Sequence, residues 1–185
     1  MASKGFSAVG LNEILTDAGV PKGSFYHYFG SKEAFGVAML ESYFKDYLAD
    51  LDSTLSQPGL NMAQRLMNYW RQWQQTQSFF DCQGKCLAVK LGAEVADLSE
   101  NMRLTLKSGT AGIITRLTLA IKTGVAEGSL QIDDEPGCVA ESLYQLWLGA
   151  SVMVKIVRNT HPFESAMLLT QQTLYMPHNR KKSLP

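Results

Sequence analysis

"VGLNEILTDAGVPKGSFYHYFGSKEAF", residues 9–35, is the stretch on which the reading of the fold turns. Leu11, Ile14, Leu15 and Ala18 keep the i, i+3, i+4, i+7 spacing of an amphipathic helix, and Gly19 closes it. Pro21 then suits the first position of a second, very short helix, where its missing amide donor would have no partner anyway. Phe25 and Phe29, four apart, point back to the first helix as core, and Tyr28 is assigned to packing with them. The opposite face collects Lys22, Gly23, Ser24, Tyr26 and His27: a cation, a bare backbone, a hydroxyl, a phenol and an imidazole. Such groups donate hydrogen bonds, phosphate oxygens and base edges accept them, and the major groove admits a helix. Ser31 reads as the N-cap of a long third helix, with Lys32 beside free amides and the positive dipole end that favour an anion. Glu33 suits the same dipole, so this arrangement alone does not establish phosphate binding. On periodicity alone the whole stretch is also readable as a helical corner with an aromatic core and solvated lysines.

Composition bounds what surrounds this corner. The chain has 185 residues, 45% hydrophobic and 18% charged, which describes a globular protein of one or two domains. No run approaches the roughly 18 apolar residues of a membrane span, and Met1–Gly5 lacks the pattern of a secretion signal, so a cytoplasmic protein is expected. Three cysteines, Cys82, Cys86 and Cys138, are too few and too unevenly placed for a secreted disulfide framework, and reduced thiols are expected. The formal net charge is zero, so any contact with nucleic acid must be local.

Helical periodicity continues to the end, which predicts an all-α chain. Val37, Leu40, Phe44, Tyr47, Leu48, Leu51 and Leu55 extend one stripe, and Leu66, Tyr69, Trp70 and Trp73 form another. Breaks fall at "QPGL" (57–60), "DCQGK" (81–85), "DLSE" (97–100), "EGSLQIDDEPG" (127–137) and "NTHP" (159–162). Between Val139 and Val157 two stripes run on opposite sides: Val139, Leu143, Leu146, Ala150, Met153, Val157, and Tyr144, Leu148, Val152, Ile156. A helix apolar on both sides is expected to be buried on both, one against its own core and the other against a second copy, although a central helix of one bundle gives the same pattern. The following stripe Phe163, Ala166, Met167, Thr170, Leu174 is expected to join that homodimer interface.

The 27-residue pattern quoted above resembles, with its spacing intact, the helix-turn-helix signature of TetR-type transcriptional repressors. The resemblance implies a helix-turn-helix DNA-binding domain at 1–35, a helical ligand-sensing and dimerisation domain at 36–176 and a flexible tail at 177–185. It also implies contact with operator DNA by Lys22, Gly23, Ser24, Tyr26, His27 and Lys32, with Lys22 and Ser24 on base edges and Tyr26, His27 and Lys32 on phosphates. Family members carry a first helix ahead of the pair that stands here as Gly5 and Phe6, and this chain starts almost on top of it. The expectation is a repressor shortened at its N-terminus. The alternative is a dimeric helical small-molecule-binding module that lacks operator activity because that helix is absent.

A switch needs an input. Met62, Met67, Trp70, Trp73, Phe79, Tyr144 and Trp147 are candidates to line an apolar pocket for an inducer, or else are simple core. The stretches "GKCLAVKLGAEVADLSENMR" (84–103) and "LWLGASVMVKI" (146–156) are similar to electrophile- and redox-responsive members of the family. That similarity implies Cys86 as the sensing thiol and Lys155 as its partner. A nearby ammonium stabilises thiolate, the form that attacks electrophiles and is oxidised. Lys155 follows a long apolar run and is expected to reach solvent, border a polar pocket or meet an acid such as Glu94. Cys138, at the start of the buried helix, is read as structural. An enzyme is disfavoured: His27, His161 and His178 stand in a recognition-like helix, a loop and a tail, and no glycine-rich phosphate loop, serine elbow or zinc-ligand spacing is present, so neither cofactor nor metal is expected.

Overall fold

The computed structural model of the chain describes residues 5–77 and 87–175. It is all-α, as the periodicity predicts. Among the described residues the helices run α1 (Leu11–Ala18), α2 (Lys22–Phe29), α3 (Lys32–Leu55), α4 (Met62–Gln77), α5 (Leu87–Leu98), α6 (Glu100–Ala126), α7 (Pro136–Val157) and α8 (His161–Tyr175).

Local chemistry sets the boundaries of the first three. Gly19 adopts φ 64°, and the amides of Gly19 and Val20 bond back to the carbonyls of Thr16 and Leu15, ending α1 in a left-handed turn. Pro21 stands one place earlier than expected, at the N-cap of α2 with an extended ψ of 142°, and helical geometry begins at Lys22. Gly30, at φ 67°, closes α2. Ser31 caps α3 as expected, its hydroxyl accepting from the Ala34 amide at 3.0 Å.

α3 belongs to both halves of the molecule. It leaves the helix-turn-helix and continues for 24 residues into the body, where it runs beside α6 in the same direction. Four pairs mark the register. Gly36 faces Met102, Phe44 faces Gly109, Leu48 faces Gly112, and Arg116 donates to both carboxylate oxygens of Asp52 at 2.6 and 3.0 Å. The glycines are required by the approach: a Cβ on Gly109 would lie 2.2 Å from Cγ of Phe44, and one on Gly36 would lie 2.8 Å from Met102 and from the ring of Phe6. Burial of large apolar side chains, at roughly 1.5–3 kcal/mol each, drives this pairing, whereas an exposed ion pair such as Arg116–Asp52 contributes about 0–1 kcal/mol.

α4, α7 and α8 complete the body around α6. Ser99 caps α6 by accepting from the Met102 amide, and Glu127 at its far end accepts from the Met62 amide that opens α4. The buried face of α7 is Val139, Ala140, Leu143, Tyr144, Trp147, Ala150, Ser151 and Val154. It draws on both expected stripes and leaves Val152, Met153, Ile156 and Val157 exposed. The α8 stripe has the expected period but a different direction. Phe163, Ala166, Thr170 and Leu174 are buried inside their own protomer, and Leu168 and Leu169 face outward instead. The reason is Trp147, whose ring needs Phe163 and Thr170 against it. No helix among the described residues is long and apolar enough to cross a membrane.

Candidate functional site

α2 presents two chemically distinct faces. Phe25, 3% exposed, is packed against Phe29 and Phe35 with ring centroids 5.3 and 5.6 Å away, so the inward face is an aromatic cluster. Lys22, Gly23, Ser24, Tyr26 and His27 are all exposed. A Cβ on Gly23 would meet nothing within 4 Å, so no contact among the described residues requires a glycine there. What the glycine does provide is an unobstructed backbone at the start of the helix.

Two aromatic and basic residues stand differently from expectation. Tyr28, assigned to packing, is 78% exposed and edges against His27 at 5.3 Å, which extends the outward donor row by a second phenol. Tyr28 stands three residues after Phe25, only about 60° away round a helix that turns 100° per residue, so period alone groups the two and does not reveal that only Phe25 is buried. Lys32 is half-buried and points inward: its ammonium donates to the Phe6 carbonyl at 2.6 Å and lies 4.6 Å from the Phe6 ring centroid.

The residues expected to sense an inducer form a solid block. Trp70, Tyr144 and Trp147 are almost completely buried. Trp147 stacks on Trp70 at 5.1 Å and on Phe163 at 5.7 Å, and its indole N–H donates to Thr170 Oγ1 at 2.9 Å. Trp73 meets Tyr144 edge-on and donates to Ser151 Oγ at 2.9 Å. Beside this block, a cavity of about 150 Å³ lies between α3 and α4, lined among others by Tyr47, Thr54, Tyr69, Gln72, Trp73 and Gln77. Gln77 is buried, and its side-chain carbonyl has no hydrogen-bond partner among the described residues. Gln77 stands in the polar run Gln74–Ser78, so nothing in the sequence marks it as buried.

Lys155 is half-buried in the last turn of α7. Glu94 is not its partner. That carboxylate is engaged by the Phe6 amide at 3.1 Å, the Ser7 amide at 2.7 Å and the Ser7 hydroxyl. These bonds, the Ser7 hydroxyl foremost, hold its pKa below the ordinary glutamate value despite some desolvation, with a small further pull from Lys32. Cys138 is exposed, correcting its reading as a structural thiol: α7 begins there with its side toward solvent. Cys82, Cys86 and Phe79 lie outside the described residues.

A short helix with a buried aromatic side and an outward row of donors, joined by a tight turn to a preceding helix and carried on a long third one, defines a helix-turn-helix DNA-binding regulator. The sequence matches confirm it at both ends, with residues 1–39 fitting "Bacterial regulatory proteins, tetR family" and residues 61–169 fitting "Tetracyclin repressor-like, C-terminal domain". The chain belongs to the TetR family. It is 44% identical over 177 residues to the HTH-type transcriptional repressor NemR of Escherichia coli, spanning 94% of this chain and 87% of that one. It is 32% identical over 165 residues to the transcriptional regulator AcuR of Cereibacter sphaeroides, spanning 89% and 75% of the two chains. The crystal structure of the reduced form of E. coli NemR superposes with a TM-score of 0.88 at 43% identity, covering 94% of this chain and 90% of that one.

Proposed function

We propose that this chain is a transcriptional repressor that binds operator DNA as a homodimer and lets go of it in response to a small-molecule or electrophilic or oxidising signal. The single observation that carries the reading is the sidedness of α2: Phe25 is buried while Lys22, Gly23, Ser24, Tyr26 and His27 stand together in solvent. Lys22 and Ser24, at the N-terminal end of the helix, are assigned to base edges, and Tyr26 and His27 to phosphates. Lys32 serves the interface from behind by fixing Phe6, and reaches phosphate only if it leaves that carbonyl.

The exposed apolar residues of α7 and α8 supply the pairing surface. Gly149, Val152, Met153 and Ile156 share one side of α7 at helical spacing, and Leu168 and Leu169 stand out from α8. Two copies joined there would present two α2 helices to successive major grooves about 34–36 Å apart. The sensing role is assigned to the Cys86 thiol, assisted by Lys155 and by the block formed by Trp70, Tyr144 and Trp147. The resemblance to a repressor crystallised in a reduced form supports a redox input.

Fluorescence anisotropy with duplexes from the DNA flanking the chain's own gene tests the first part. Selective binding that weakens steeply between 50 and 200 mM salt is expected, because phosphate contacts release counterions. Equal affinity for a scrambled duplex would overturn the reading. For the sensor, Cys138→Ser is the proper background, because the exposed Cys138 thiol would otherwise react as well. In that background a maleimide is expected to release DNA, and further replacement of Cys86 by serine is expected to abolish the release.

A further inference from the structure

The segment before α1 is gripped from three directions. From α5, Glu94 places one carboxylate oxygen on the Phe6 amide and the other on the amide and hydroxyl of Ser7. From α3, Lys32 donates to the carbonyl of the same Phe6. From α6, Met102 meets the site beside Gly36, where the Phe6 ring, 6% exposed, is inserted. The cradle is shaped for an anion. Consecutive backbone N–H groups converge on the carboxylate, and Gly5 makes room for it at φ 77°, where a Cβ would lie 2.7 Å from a Glu94 oxygen. A side chain at residue 5 would meet both obstacles, strained backbone and occupied space.

A second carboxylate acts in the opposite direction. Glu33, in the first turn of α3, accepts from the hydroxyl of Ser99 and from the Asn101 amide at 3.4 Å. Ser99 follows the last residue of α5 and caps α6. α5 is therefore tied to the helix-turn-helix region near its middle and just beyond its end. It is also the helix that begins immediately after residues 78–86, the stretch that contains Cys86.

We infer that Glu94 is a positioning residue: its carboxylate, seated in the backbone cradle of Gly5–Ser7, sets the orientation of the helix-turn-helix against the sensor body, and α5 acts on α2 through it. The inference deepens the operator-binding reading and rests on it for its consequence at DNA, but the contact itself is testable without DNA. Glu94 touches no nucleic acid. It works by holding the loop that leads into α1, and α1 packs on α2, with Leu15 of the one and Phe25 of the other buried.

The test uses the full chain and four variants. In Glu94→Ala, amide exchange at Phe6 and Ser7, followed by NMR without DNA, should accelerate at least about tenfold, and operator binding should weaken by about tenfold with dimerisation and melting temperature near wild type. Glu94→Gln keeps an acceptor and should recover part of both effects. Ser7→Ala removes only the hydroxyl, sits at an exposed position and should show a smaller loss, which keeps the test open if Glu94→Ala folds poorly. Glu127→Ala breaks a comparable carboxylate-to-amide bond at the far end of α6 and should leave both exchange at 6 and 7 and operator affinity unchanged. Unchanged exchange in Glu94→Ala and Ser7→Ala overturns the proposal, and so does an equal loss of operator affinity in Glu127→Ala. If wild type binds no duplex selectively, the operator reading fails, and the exchange arm still decides whether Glu94 holds the loop.

Discussion

The two aromatic concentrations in this molecule, α2 and the block shared by α4, α7 and α8, handle their polar atoms in opposite ways. In the block, two of the three indoles find hydroxyl partners inside: Trp147 with Thr170 and Trp73 with Ser151, each at 2.9 Å. On α2 the phenols of Tyr26 and Tyr28 and the imidazole of His27 are displayed to solvent while Phe25, which has no polar atom, is buried. The internal pairs satisfy a core, since a buried donor without a partner costs about 1–3 kcal/mol. The outward donors have no hydrogen-bond partner among the described residues, and so are available to an external acceptor. Aromatic content alone therefore does not distinguish core from interface; the destination of each polar atom does.

That contrast can be broken experimentally, most severely at the core. Trp147→Ala removes the ring between Trp70 and Phe163 and the donor to Thr170, whose hydroxyl keeps its bond to the Ala166 carbonyl, and should cost about 3–5 kcal/mol of stability, measured by urea denaturation. Lys22→Ala should do the reverse: stability within about 0.5 kcal/mol of wild type, but operator binding weaker by about 1–3 kcal/mol in anisotropy titrations. A stability loss at Lys22 as large as that at Trp147 would erase the distinction. Ser31→Ala lies between the two regions, and loss of its cap on α3 should lower stability by about 1 kcal/mol. The smallest effect is expected from acid. Because the folded pKa of Glu94 is depressed, its stabilising contribution is complete above the ordinary glutamate value of 4.5 and disappears as pH falls through the lower folded value. Wild type and Glu94→Gln should therefore differ only slightly in stability at neutral pH, in keeping with the near-wild-type melting expected of Glu94→Ala, and that small margin should close as pH falls from 4.5 through the lower folded value, as followed by denaturation at stepped pH.

Punctuation made the recognition end legible. Gly19, Pro21, Gly30 and Ser31 each act on their own backbone within a few residues, so spacing alone located the end of α1 and the starts of α2 and α3 to within a position. Periodicity located α8 equally well but not its orientation, because a stripe of Phe163, Ala166, Thr170 and Leu174 states that one face is buried without stating against what. Tyr28 was obscured by its aromatic neighbours. Glu94 was seen as a possible acid for Lys155, but its true partners lie 87 and 88 residues away, in a segment whose only sequence mark is a glycine and a phenylalanine. Contacts set by tertiary packing leave no local pattern.

The in-step pairing of α3 with α6 has a mechanical consequence. From Gly36 to Asp52, about 24 Å of helix at 1.5 Å per residue, the two rods are splinted together, glycine against ring at one point and guanidinium against carboxylate at another. A splinted rod resists bending, so strain arriving near Leu51 is not dissipated along the way. It is delivered to the Lys32 end as translation or roll of the whole pair.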